Sequence, residues 1–138
     1  MNEPDVFDEL EAPERVALLD LASEESFSEE EIIIGQGTLN EAIFIILDGV
    51  VMVRRNSPDG RQTDVASLGV GSIVGEIGFL TRKKASVSVI AGSVVRLLRL
   101  SRQHVDAYAQ DNAGFAGRFY HSIAVTLASR LARTNQRL

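Results

Sequence analysis

The chain from Glu31 to Arg55 reads EIIIGQGTLNEAIFIILDGVVMVRR. Three runs rich in Ile and Val, Glu31–Gly35, Ala42–Leu47 and Val50–Arg54, are cut by Gly35-Gln36-Gly37 and by Asp48-Gly49. Each run has the length and β-branched content of a strand, and each break carries turn chemistry. The rhythm continues through Thr63–Leu68, Val87–Ala91 and Val94–Leu100, with Ser57-Pro58-Asp59-Gly60 and Gly69-Val70-Gly71 between. Many short strands at near-regular spacing predict a sandwich or barrel. No alternation with long helices is present, which argues against a parallel doubly wound sheet.

Helical patterns flank this region. Asp5 to Ala22 sets Val6, Leu10, Val16, Leu18, Leu19 and Leu21 among acids, a short helix with a break expected near Pro13. Ser101 is a good N-cap for a helix over Gln103–Gln110, which Asp111-Asn112-Ala113-Gly114 ends. A long helix then runs from about Phe115 to Arg137. Phe115, Phe119, Ile123, Leu127 and Leu131 recur every fourth residue, so one face is expected to rest on the β core. A second series, Tyr120, Ala124, Leu127, Leu131, Thr134 and Leu138, has the spacing of a short helical-dimer seam. One wide apolar face and a dimer seam both fit the pattern.

The 138 residues predict one domain: a helical segment over 1–23, a β region over 24–100 and helices over 101–138. The apolar share of 45% is that of a globular core. No cysteine is present, which excludes disulfides, thiolate metal sites and cysteine catalysis, and suits a reducing compartment. No apolar run approaches the roughly 20 residues of a bilayer span, and the acidic start lacks a secretory pattern. A cytoplasmic protein without a membrane partner is the expectation. The net charge of -5 gives no general attraction to nucleic acid. Residues 1–31 hold twelve of the nineteen acids, whereas Asn112 to Leu138 holds four arginines and no acid. Either the two ends attract, or acids simply favour helix starts and bases helix ends; the second is the ordinary arrangement.

The stretch Val74–Val87, VGEIGFLTRKKASV, carries the chemistry. Gly75 admits close approach of a ligand to the backbone. Glu76–Leu80 can form one helical turn, whose first amides lack partners within the helix and suit an anion such as phosphate. The Glu76 carboxylate only accepts hydrogen bonds, and a sugar hydroxyl is a fitting donor. The plainer alternative is an acid at a helix start.

The strand–glycine order, Gly35-Gln36-Gly37, Phe44-Ile45-Ile46-Leu47-Asp48-Gly49, Leu68-Gly69-Val70-Gly71 and Gly75-Glu76-Ile77-Gly78 together resemble the cyclic nucleotide-binding domain family. That family includes kinase regulatory subunits, catabolite-activator-type regulators and nucleotide-gated channels. The resemblance covers the chain from about Phe7 to the last helix. It implies a mainly β fold, an antiparallel β-roll of eight strands (a jelly-roll-like double-stranded β-helix) with an N-terminal helix and two C-terminal helices. It also implies that residues 74–87 are a phosphate-binding cassette. Carried over, Val74, Gly75, Glu76, Ile77 and Gly78 hold the phosphate and ribose.

One position departs from the family. Its arginine, nine residues after the glutamate, is Ala85 here, its proline is Lys84, and the next small position is Ser86. A charge-assisted bond is worth about 1.5–3 kcal/mol, so its loss weakens binding by up to about 100-fold. A one-residue slip of the loop would bring in Lys84, a point charge rather than a planar fork. Arg82 and Lys83 add longer-range attraction, or all three bases are a solvated turn. The distal helix closes such sites in the family; Thr126, Ser129 and Arg130 are the candidates here.

Other chemistries find no support. His104 and His121 lie on separate helical segments without metal-ligand spacing. Neither a nucleophile elbow nor a Walker loop is present, so neither catalysis nor a cofactor is expected. Related regulators read DNA through a helix-turn-helix after the long helix, and the sequence stops at Leu138, so DNA is not an expected partner. The expected function is a regulatory module that binds a cyclic nucleotide, cyclic AMP before cyclic GMP. It would signal through its last helix to an effector or a second protomer. The alternative is a degenerate member of the same fold that binds no nucleotide and serves in dimerisation or docking. An accessory subunit of an enzyme is a more distant third.

Overall fold

A computed structural model describes residues 5–136, with side chains from Val6 to Arg133. A 3-10 turn, Asp5–Phe7, precedes α1, Ala12–Leu21. The strands are β1 Ser23–Phe27, β2 Ile32–Ile34, β3 Ala42–Asp48, β4 Val51–Asn56, β5 Gln62–Leu68, β6 Ile73–Val74, β7 Ser88–Ala91 and β8 Val95–Ser101. Helix α2, Glu76–Thr81, interrupts them, and α3, Arg102–Asp111, and α4, Phe115–Gln136, follow. The strands form two antiparallel four-stranded sheets, ordered β1-β8-β3-β6 and β2-β7-β4-β5. The architecture is the mainly β roll with an N-terminal helix and C-terminal helices.

Strand β3 explains why the chain needs two apolar layers. Side chains alternate across a strand. Ala42, Phe44 and Ile46 therefore point between the sheets, where they meet Ile34, Val51, Val74, Val89, Ala91, Val95 and Leu97. Ile43 and Ile45 point the other way, onto Leu98, Leu100 and the helical layer of Phe79, Val105, Phe115, Phe119 and Ile123. A strand covered on both faces reads as an unbroken apolar run, as Ala42–Ile46 does. Strand β5 is the opposite case: it sits at a sheet edge, is almost wholly exposed and is polar.

The structure departs from the sequence reading at several points. Pro13 does not break the N-terminal helix; it stands in the first turn of α1, where its missing N–H costs nothing. The break falls earlier, between Phe7 and Ala12. Two strands, β1 and β6, lie outside the runs read as strands. Leu131 does not continue the buried face of α4: Phe115, Phe119 and Ile123 are buried, whereas Leu131 is 61% exposed. In the second series Tyr120, Ala124 and Leu131 are exposed, Leu127 packs on the core, and Leu138 and the Thr134 side chain lie outside the described residues.

The two oppositely charged ends do meet. The Arg118 guanidinium donates to both oxygens of Glu14, at 2.9 and 2.7 Å, and lies 3.6 Å from Glu11. His121 is 3.6 Å from Glu9. The plainer reading of these charges, as helix-end preferences alone, is thus incomplete. Glu14 is buried, and its bonds with Arg118 hold its carboxyl below the ordinary range against the opposing effect of burial.

Candidate functional site

The site begins where β6 ends. Val74 and Ile73 pair with Phe44 and Ile45 of β3, which fixes the entry to the turn. Gly75 then adopts φ +84°, the left-handed region. A Cβ there would fall 2.7 Å from Asn40 Nδ2 and 2.8 Å from the Ala42 carbonyl oxygen. Both the dihedral and the space therefore require glycine. Asn40 Nδ2 donates to the carbonyls of Gly75, at 3.0 Å, and Ala42, at 2.6 Å, clamping the turn to the start of β3. The Gly75 carbonyl also accepts from Phe79 N at 3.1 Å, which opens α2 and leaves the amides of Glu76, Ile77 and Gly78 without intrahelical partners.

Phe79 anchors α2. It is fully buried, its ring centroid is 6.3 Å from that of Phe119 on α4, and the Arg102 guanidinium stacks 4.3 Å over it. Arg102 also donates to the Phe79 carbonyl. Helix α2 ends at Arg82, itself left-handed, and the chain returns through Lys83 to Val87. Ala85 is held there from both sides: its N–H donates to the Thr38 carbonyl at 2.8 Å, and its carbonyl accepts from Gly37 N at 2.7 Å. Its side chain packs on the inter-sheet core. These bonds fix the register of the loop, so Lys84 reaches the cavity rim from an exposed position and without a slip.

Between this turn, the loop and the end of α4 lies a cavity of about 400 Å³. Ile34, Val53, Leu68, Val74 and Val89 give it apolar walls. Val74, Gly75, Glu76, Ile77, Gly78, Lys84, Ala85, Ser86 and Arg130 all line it. Thr126 and Ser129 are not among the lining residues. The Thr126 hydroxyl instead donates to the Ser122 carbonyl one turn back, at 3.0 Å, and Ser129 is exposed. Of the three candidates on the long helix, α4 turns Arg130 inward, because Phe115, Phe119 and Ile123 set its rotation on the core. Asn40 was not singled out from the sequence. A short amide two residues before a strand was its only signal.

Glu76 and Arg130 are the site's charged pair. Arg130 donates to Glu76 Oε1 at 3.2 Å and to the Ile73 carbonyl at 2.9 Å. Burial pushes the Glu76 carboxyl above the ordinary range, and a hydrogen bond from its own backbone N–H, with the charge and hydrogen bond of Arg130, draws it back only in part. The cavity thus offers an acceptor for hydroxyl donors, main-chain amides for an acceptor or anion, apolar walls for a flat ring and bases at its rim. No group of acidic and histidine side chains among the described residues could hold a metal ion. No helix among them is long and apolar enough to cross a membrane.

A family model for the cyclic nucleotide-binding domain matches residues 24–112. The chain is 32% identical over 98 residues to the cAMP-dependent protein kinase type II regulatory subunit of Drosophila melanogaster, covering 70% of this chain and 26% of that protein. It is 30% identical over 128 residues to the cyclic AMP receptor protein of Thermus thermophilus, covering 92% of this chain and 57% of that one. The chain therefore spans between a quarter and just over half of the length of these curated relatives. The crystal structure of the Thermus thermophilus catabolite activator protein superposes with a TM-score of 0.79 at 26% identity, covering 96% of this chain and 61% of that one.

Proposed function

The chain belongs to the cyclic nucleotide-binding domain family, and we propose that it is a regulatory sensor that binds a 3′,5′-cyclic nucleotide, cyclic AMP before cyclic GMP. The observation that carries this reading is the meeting of Glu76, Arg130 and the left-handed Gly75 turn in one apolar cavity. In the proposed pose the amides from Glu76 to Gly78 and the Ser86 hydroxyl face the phosphate. Lys84 adds charge from the rim. Glu76 accepts the ribose 2′-hydroxyl, and the base lies on the apolar wall. Support for cyclic AMP over cyclic GMP comes from the relatives named above.

Helix α4 is the proposed output. A ligand hydroxyl that engages Glu76 shares or displaces the bond from Arg130, so ligand affinity depends on where α4 stands. Phe79 packs against Phe119 and gives α2 a second hold on the same helix. The role is regulatory rather than catalytic, in the cytoplasm, and the listener is an effector protein or a second protomer docked on α4.

A second reading is favoured by Ala85. A cavity without the family's arginine, whose acid is already paired, fits a fold that has given up nucleotide and kept only its docking role. Isothermal titration with cyclic AMP and cyclic GMP, with thermal shift in parallel, separates the two. Saturable heat and a raised melting temperature support the sensor. No heat and no shift at millimolar ligand leave the docking module.

A further inference from the structure

We propose that this cavity accepts an uncharged nucleoside about as tightly as the corresponding cyclic monophosphate, so that the ribose and base, not the phosphate, carry recognition. The proposal rests on the sensor reading above and concerns how the same site divides its affinity.

The reason lies in where the cavity's cations are. The loop that crosses its floor presents Ala85, whose backbone is held on both sides by Gly37 and Thr38 and whose side chain packs on the core. That loop cannot shift a lysine inward without breaking both bonds. Lys83 and Lys84 are exposed, so their charges act through water and are screened. Arg130 is committed: its guanidinium spans the Glu76 carboxylate and the Ile73 carbonyl. Turning it to a phosphate would leave Glu76 buried beside apolar walls with its charge uncompensated. A cyclic phosphate entering here would lose water and gain main-chain amides and a hydroxyl, but no fixed cation to offset its charge.

A nucleoside escapes that penalty. It brings no charge to be desolvated. Its ribose hydroxyls can donate to Glu76, which has acceptor capacity beyond the bond from Arg130. Its base has the wall of Ile34, Val53, Leu68 and Val89 to lie on. The same cavity with an arginine at position 85 would gain the missing partner for phosphate alone.

Titration of the wild-type chain and of Ala85→Arg with adenosine and with cyclic AMP tests this. We expect wild-type dissociation constants for the two ligands within about tenfold of each other, or adenosine the tighter. Ala85→Arg should tighten cyclic AMP by up to about 100-fold and leave adenosine unchanged. Should Ala85→Arg fail to fold, Glu76→Gln serves, since it leaves the loop alone and should weaken adenosine. Wild-type binding of cyclic AMP more than tenfold tighter than adenosine would overturn this inference and leave the sensor reading standing. Adenosine affinity untouched by Glu76→Gln would also overturn it. Binding of neither ligand would end both.

Discussion

Arg130 on α4 and Glu76 at the start of α2 stand 54 positions apart in the chain and 3.2 Å apart in space. Glu76 is 6% exposed, so its carboxylate depends on this partner for compensation. The pair ties the last helix to the turn that forms the cavity.

Removing one member should therefore cost more than removing both. Arg130→Ala is expected to destabilise the fold by about 1–3 kcal/mol, because the buried acceptor loses its donor. Arg130→Ala combined with Glu76→Gln should recover part of that loss. Urea unfolding of the two single variants and the double variant gives the coupling energy, and strict additivity would show that the pair is not coupled.

Glu76 also sets a pH dependence. Its folded carboxyl titrates above the unfolded value, so the folded state holds the proton more tightly. Its contribution to stability is thus fullest below the unfolded pKa and is lost as pH rises through the folded one. Glu76→Gln should remove this decline. Melting temperatures taken from about pH 4 to 7 on both proteins provide the comparison.

Glu14 has the opposite sign. Arg118 lowers its folded carboxyl, so its contribution is present above the unfolded pKa and disappears as pH falls through the folded one. Arg118→Met should cost about 1–3 kcal/mol at neutral pH, leaving the buried Glu14 carboxylate with only the Glu11 N–H as donor and no cation. It should cost little once Glu14 is protonated. Denaturant unfolding at neutral and acid pH reads the difference, and an equal loss at both would point to packing instead.

Gly75→Ala should unmake the turn. The left-handed dihedral alone costs an alanine about 1–2 kcal/mol, and the Cβ would collide with Asn40 and the Ala42 carbonyl. We expect a clear drop in melting temperature and loss of ligand-induced thermal shift. Wild-type affinity in a Gly75→Ala protein would mean that this turn does not shape the site.

The exposed face of α4 gives a test of assembly. Leu131 and Tyr120 are 61% and 37% exposed on the helix proposed to dock a second protomer. Leu131→Asp should convert a dimer to monomer in light scattering while leaving the melting profile near wild type. A wild-type chain that stays monomeric at its highest soluble concentration would remove homodimerisation from the proposed output.

Much of the fold was legible because its signals are local. The apolar runs of β3, β4 and β8 and the glycine breaks between them state their conformations within a few residues. Strands β1 and β6 were not legible. The sequence SEESF is polar because β1 lies at an edge and needs only β8 for its ladder. Two residues, Ile73 and Val74, become a strand only because β3 runs alongside.

The site divides in the same way. Chain-local chemistry was enough to mark the glycine turn and the acid beside it, since each is a matter of backbone preference or residue identity, whereas Ala85 stood out only through the resemblance to a family. Which side chain of the long helix would meet that acid was beyond it. Thr126, Ser129 and Arg130 all carry polar groups that suit such a contact on paper. Only the packing of Phe115, Phe119 and Ile123 sets the rotation that turns Arg130 inward, and a helix's rotation depends on the surface that receives it.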